Sequence, residues 1–346
     1  MPSLFWIYLA MCLIAALNWL WMTVPRRKGE VNFEVMIPAR NEAENLPDVL
    51  PPLVGAGVQV TVFDDESTDG TAEVAESMGA KVVRPDGPLP AGWTGKNRAC
   101  HELALVANAD WVVFLDADTK PSDDFAERLA GGLADAKASV VTGFTRMVPG
   151  AGIEPAYLAW VPWILLATNP FGLVAITRKG HNHFTNGQFT AWKLDRLREV
   201  RPHETLLGEV LEDVKIGRLL ARRGIAVGVW NVAPILGVQM YKTLPEAFAG
   251  MSKNSCDIMG SVFASVILAL GLIFLAWAWV LFPSHALLGY GLLVLNMVLT
   301  GRVVRTPIWT VIFAPLTITA AAVTILWSTM KRQKGGVQWK GRTYGG

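Results

Sequence analysis

Trp111-Val112-Val113-Phe114-Leu115-Asp116-Ala117-Asp118 is the stretch whose reading decides the fold. Five consecutive apolar residues, mostly β-branched or aromatic, read as a strand buried on both faces. Two aspartates close it at once. Carboxylates at i and i+2 of an extended segment point the same way, and burying two like charges without a cation is costly. A hard divalent cation that also takes phosphate oxygens satisfies such a pair.

Outward from this stretch, residues 33–38, 58–63, 80–83 and 139–144 read as further short buried strands. Helical patterns fall between them at 42–54, 70–78, 96–107 and 122–135. Alternating strands and helices imply an α/β domain with a mostly parallel sheet and helices on both faces. Ligands of such sheets bind at the carboxyl ends of the strands, so the residues there carry the chemistry.

The first strand runs into Ile37-Pro38-Ala39-Arg40-Asn41-Glu42, a polar cluster that either serves the site or simply starts a helix. The second ends in Asp64-Asp65-Glu66-Ser67-Thr68-Asp69-Gly70-Thr71. Asp69 reads as the cap of the next helix. Adjacent Asp64 and Asp65 repel each other and need partners, such as the N–H of a base or ribose hydroxyls. The loop Gly92-Trp93-Thr94-Gly95-Lys96 opens another helix and reads as an anion site, although the Walker A spacing is absent. Glu212-Asp213 lies in a helical stretch, 208–220, and offers a general base or a solvated face. His181, His183 and His203 have no third partner at metal spacing and read as loop residues.

Of the 346 residues, 52% are hydrophobic and 17% charged, against about 25% charged in ordinary soluble domains. The net charge of +2 hides a split: residues 25–257 carry −5, and the remainder beyond carries +7. A disordered chain, a nucleic-acid binder with a basic body and a small disulfide scaffold are excluded. Cys12, Cys100 and Cys256 are scattered and odd in number, which points to reduced thiols and a domain facing the cytosol.

Residues 1–24 are uncharged and precede Arg26-Arg27-Lys28. That is the reverse of a signal peptide and fits a transmembrane helix ending in the cytosol. The catalytic region is then 30–257, followed by transmembrane segments over 258–330 and a basic tail, 331–346. The run 258–301 holds two spans divided at Pro283-Ser284-His285; a third apolar stretch covers 306–330. Three full spans would send the basic tail outside, against the positive-inside rule. A broken or re-entrant third segment, hinged near Ala314-Pro315, returns it. Interrupted by prolines, 157–176 reads as an interfacial helix, with a buried domain helix as the alternative.

In this order, the strand-end clusters of Pro38 to Glu42, Asp64 to Thr71, Asp116-Ala117-Asp118 and Glu212-Asp213 resemble family 2 glycosyltransferases over about 33–256. The 92–96 loop, Asn186-Gly187-Gln188-Phe189, Met251-Ser252-Lys253-Asn254 and Trp339-Lys340-Gly341-Arg342-Thr343-Tyr344 are similar to the membrane-bound branch that glycosylates isoprenoid lipids. That branch includes the carotenoid (diaponeurosporenoate) glucosyltransferases and hopanoid-associated enzymes. The resemblance implies a GT-A domain with transmembrane helices at both ends, at the plasma membrane with the catalytic domain cytosolic. It implies inverting transfer of a hexose, glucose by the likeness, from a UDP-sugar to a lipid acceptor, with Mg2+ or Mn2+. Carried over, Pro38, Arg40, Glu42, Asp64, Asp65, Lys96 and Asp116 bind the donor, and Asp118 binds the metal. Asp213, with Glu212 beside it, is the base, while Gly187, Gln188, Gln239, Tyr241 and Lys242 form the acceptor or leaving-group region. Gln239-Met240-Tyr241-Lys242 departs from the Arg-Met-Tyr expected there, with Lys242 as a substitute charge. Two alternatives stand beside it. One is a polyprenyl-phosphate glycosyltransferase with Arg146, Arg178 and Lys179 around the acceptor; the other is a non-catalytic subunit that binds nucleotide sugars.

Overall fold

The computed structural model describes residues 3–177, 184–209, 211–259, 261–332, 337–339 and 342–344. The chain divides into two compact units. One comprises residues 23–146 and 179–238; the other comprises 1–22, 147–178 and 239–346.

The first unit is built on seven strands: β1 Phe33–Ala39, β2 Gln59–Asp64, β3 Lys81–Val83, β4 Trp111–Leu115, β5 Val140–Phe144, β6 Phe189–Lys193 and β7 Val227–Asn231. Their order across the sheet is β3-β2-β1-β4-β6-β5-β7. The first four pair in parallel, with Ala39 beside Asp64 and Phe33 beside Trp111. β6 is inserted antiparallel between β4 and β5, and β7 pairs parallel to β5. The strands foreseen in the sequence form within one residue of their expected ends; β6 and β7 complete the sheet.

Central strands of this sheet are buried on both faces, so they are continuous apolar runs rather than alternating ones. Val35, Ile37, Val62, Val113 and Leu115 are fully inaccessible. The helix Leu46–Gly55 covers them with Leu46, Val49, Leu50 and Leu53, the spacing of one helical face. Helices Thr71–Ser77, Gly95–Val106 and Phe125–Ala134 complete the coverage. Because β1, β2 and β4 are parallel, their polar carboxyl ends meet at one edge.

The second unit is helical. Its long apolar candidates for membrane crossing are Val262–Leu281, Pro283–Val304 and Ile308–Lys331, of 20, 22 and 24 residues. The expectation of spans at both ends is corrected here. The N-terminal helix, Ser3–Trp21, is apolar over Phe5–Trp21, short of the length of the other three. It packs instead beside Ala286–Val304, in parallel: Phe5 meets Phe282 and His285, the Cys12 thiol donates to the Leu292 carbonyl, and Arg302 lies over Trp19. The stretch 157–176 is broken into short helices, with Trp160 and Trp163 buried in the helical core beside Leu272 and Met297.

The third apolar stretch changes character at Ala314. A 3-10 segment, Ile308–Phe313, gives way to the helix Ala314–Arg332. Tyr290 donates its hydroxyl to the Ile312 carbonyl, and the Trp277 indole donates to the Thr319 hydroxyl. The beginning of the last helix is therefore level with the Trp277–Ala286 turn. The last helix also packs against Val262–Trp277.

Candidate active site

Strand β4 ends at Leu115, and the chain turns immediately. The Asp116 carbonyl accepts from the Thr119 N–H at 3.1 Å and the Thr119 hydroxyl at 2.8 Å. The extended geometry expected for Asp116 and Asp118 is thus replaced by a turn, which separates the roles of the two carboxylates. Asp116 meets Lys96, whose Nζ lies 2.8 Å from its Oδ1 and 3.1 Å from Glu212 Oε1. Lys96 therefore ties the end of β4 to the start of the helix Glu212–Arg222.

Thr94 caps the helix carrying Lys96, its hydroxyl accepting from the Asn97 N–H at 3.3 Å. Burial pulls the Lys96 ammonium down, but Asp116 and Glu212 outweigh it and hold the lysine well above its ordinary value. Burial pushes the Glu212 carboxyl up to about 6, with Asp213 raising it and Lys96 opposing. Burial also raises Asp213. Asp213 is oriented by the Gly187 N–H on Oδ2 at 3.3 Å and the Val214 N–H on Oδ1 at 2.8 Å, while its carbonyl accepts from the Thr185 hydroxyl. A carboxylate with a raised pKa and fixed orientation is suited to accept a proton.

Gly187 fits this crowded spot because it has no side chain. A Cβ there would lie 3.0 Å from Lys96 Nζ and 3.6 Å from Asp213 Oδ2. Beside it, Gln188 accepts from Thr145 at 2.7 Å and from Asn186 at 3.2 Å, and its carbonyl receives the Asp116 N–H at 3.4 Å. Lys96, Asp116, Gly187, Gln188, Glu212 and Asp213 are thereby brought together from four separate segments.

The other strand-end residues form an interlocked pair of loops. Asp65 donates its N–H to Ala39, and its carbonyl accepts from Arg40 at 2.5 Å; Arg40 also lies 3.6 Å from the Asp65 and Glu66 carboxylates. Asp64 accepts from the Ser67 N–H at 3.3 Å. The Glu42 N–H donates to the Thr71 hydroxyl, and its carboxylate accepts from Asn45 at 2.6 Å. Asp69 is not the cap residue itself: Gly70 occupies that position at φ +83°. Asp69 instead accepts from the Thr71 and Ala43 N–H groups, joining both loops. Pro38 stands in β1 opposite Phe63.

Gln239, Tyr241 and Lys242 belong to the helical unit. Gln239 donates to the Pro149 carbonyl at 3.4 Å, and the Tyr241 ring packs against Gly250. The Lys242 carbonyl accepts from the Ala151 N–H at 2.8 Å. Arg178, Lys179, His181 and His183 lie outside the described residues. Among the described residues no group of three or more His, Cys, Asp or Glu is arranged to hold a metal. Asp118, in the turn after Asp116, offers a single carboxylate of the kind a hard cation takes together with substrate phosphates.

With the geometry in view, residues 34–190 match the family described as Glycosyl transferase family 2. This segment is a family 2 glycosyltransferase domain. Over 234 residues the chain is 25% identical to a 4,4'-diaponeurosporenoate glycosyltransferase of Staphylococcus haemolyticus, covering 63% of this chain and 59% of the relative. It is 26% identical over 239 residues to the protein so named in Staphylococcus aureus USA300, covering 64% and 58%. The match thus spans under two thirds of those relatives. A mannosyltransferase from Pyrobaculum calidifontis, solved with GDP-Man and Mn2+, superposes with a TM-score of 0.55 at 16% identity, over 95% of this chain and 99% of that one. The family 2 domain accordingly has a GT-A-like α/β fold with a mostly parallel sheet.

The candidate site also contains residues to which the sequence alone gave no role. Thr185 and Thr145 hold Asp213 and Gln188, and Asn97 braces the loop before Glu212 together with His203, which is not a loop residue as expected but is buried in the short helix Pro202–Thr205. Their partners lie far away in the chain, so no local pattern marks them.

Proposed function

We propose that the protein is an inverting glycosyltransferase that moves one hexose, glucose, from a UDP-sugar to an isoprenoid-type lipid such as a carotenoid acid or a hopanoid. The observation that carries this reading is the Lys96 bridge between Asp116 and Glu212, with the oriented Asp213 carboxylate alongside. It joins a donor-side aspartate to a proton acceptor within one buried cluster. The names of the Staphylococcus relatives support the acceptor class.

In the reaction the acceptor oxygen bonds to the anomeric carbon as the bond from that carbon to the diphosphate oxygen breaks. Asp213 takes the proton of a hydroxyl acceptor. A carboxylic acid acceptor is already ionised near neutral pH, and Asp213 then orients it. Asp64, Asp65 and Arg40 at the neighbouring strand ends serve the nucleoside, and Asp118 holds a divalent cation, Mg2+ or Mn2+. When bound, that cation supplies charge stabilisation for the departing diphosphate.

The apolar helices support a membrane location. In our reading Val262–Leu281 and Pro283–Val304 form a transmembrane hairpin, and the third stretch enters and returns. Arg302, Arg305 and the basic tail then share the cytosolic face, as does the catalytic domain.

Full-length protein in detergent, given UDP-glucose and mixed isoprenoid lipids, should yield a lipid-linked hexose that a chelator suppresses. Asp118→Ala should lower turnover at least about 100-fold, and Asp213→Asn should do so for hydroxyl acceptors while UDP binding persists. No lipid product from any acceptor would reject the reading.

A further inference from the structure

The segment 206–209 leads into Glu212-Asp213 and has no regular secondary structure of its own to fix it. One side chain gathers it. Asn97 Nδ2 donates to the carbonyls of Leu206 at 2.7 Å, Glu209 at 3.2 Å and Leu207 at 3.3 Å. The Thr94 N–H adds a bond to the Leu207 carbonyl at 2.8 Å. Asn97 is completely inaccessible to solvent.

The amide orientation is set from the other side. His203 Nδ1 lies 3.4 Å from Asn97 Oδ1, and its ring stands edge-on to Phe114, with centroids 5.3 Å apart. Burial, followed by Lys96 and His101, pushes His203 down to about 3, so its ring is neutral. With Nδ1 carrying the proton, His203 donates to Oδ1 and leaves both amide hydrogens for the carbonyls.

Lys96 and Asn97 are consecutive in the same capped helix turn. Lys96 grips Glu212, and Asn97 grips the three carbonyls just before it. We infer that Asn97 is a positioning residue, which fixes Leu206, Leu207 and Glu209, ahead of Glu212-Asp213, against the Lys96–Asp116 pair. Its role in turnover rests on the proposed transferase reading; its role in anchoring the segment does not. Asn97 touches no reacting atom, and it acts through the placement of Asp213.

Hydrogen–deuterium exchange on the full-length protein in detergent separates the two. In Asn97→Ala, peptide 205–214 should exchange about 10-fold faster, while a peptide covering β4 is unchanged. With UDP-glucose and a lipid acceptor, kcat should fall about 100-fold and the donor KM should move less than about 2-fold. Asn97→Asp should be worse than Asn97→Ala, because an isosteric carboxylate faces three carbonyl oxygens. A side chain that merely fills volume gives the opposite order. Unchanged exchange in 205–214, or a fully active Asp variant, would overturn the inference. If the wild type transfers no hexose, the transferase reading fails and the exchange data still decide the anchor.

Discussion

Lys96 is the residue on which the site turns, since its ammonium neutralises one carboxylate from each side of the cluster. Protonating either partner weakens that tie. Glu212 titrates near 6 because burial opposes its charge. Transfer should therefore rise with pH through about 6 and level off above it, as Glu212 becomes an anion for Lys96. The stability contribution has the opposite sign. A folded value raised above the ordinary 4.5 favours the folded state below 4.5, and that contribution is lost as pH rises through about 6. Rate and melting profiles of the wild type and Glu212→Gln from pH 4.5 to 8 check both: the variant should lack the limb near 6 and gain relative stability as pH rises. Asp116 stood out in the sequence as an acid closing an apolar strand, and Glu212 as an acid in a helical stretch. Lys96 stood out as an anion ligand at a helix start, but its pairing with both carboxylates depends on tertiary contact and has no local pattern.

At the level of elements, local pattern and tertiary contact divide the information. β1, β2 and β4 were legible because a strand buried on both faces must be a continuous apolar run. β6 was not, because Phe189–Lys193 is short and ends in lysine, and its antiparallel insertion depends on pairing with β4 and β5. The turn at Asp116 likewise depends on Thr119 closing back on its carbonyl. The helix Phe125–Ala134 carries a further tertiary constraint at Gly131. A Cβ there would fall against the backbone of Arg26 and Lys28. Alanine is worth about 1 kcal/mol more than glycine in a helix, but overpacking against backbone costs about 1–3 kcal/mol. Gly131→Ala should therefore destabilise this unit, by up to about 2 kcal/mol, in denaturant titrations followed by tryptophan fluorescence.

For the whole molecule, the charge split in the sequence poses a conflict that the re-entrant third segment we propose would resolve. A hairpin of Val262–Leu281 and Pro283–Val304 returns Arg302 and Arg305 to the face where it began. If Ile308–Lys331 crossed as a third span, the basic residues from Lys331 onward would lie on the opposite face. The Tyr290–Ile312 and Trp277–Thr319 hydrogen bonds place the start of the last helix deep beside the hairpin turn. In our reading that helix, packed against Val262–Trp277, returns to the face where the hairpin began. Composition does not decide between the two paths, since 24 apolar residues satisfy a crossing equally well as an entry and a return. A tag after Gly346 in sealed inverted membrane vesicles should be cut by added protease without detergent, as should a site engineered beside Arg305. A site placed in the Pro283–His285 turn should be protected until detergent is added. Protection of the C-terminal tag, with the Arg305 site still cut, would establish a third full crossing and overturn the re-entrant path.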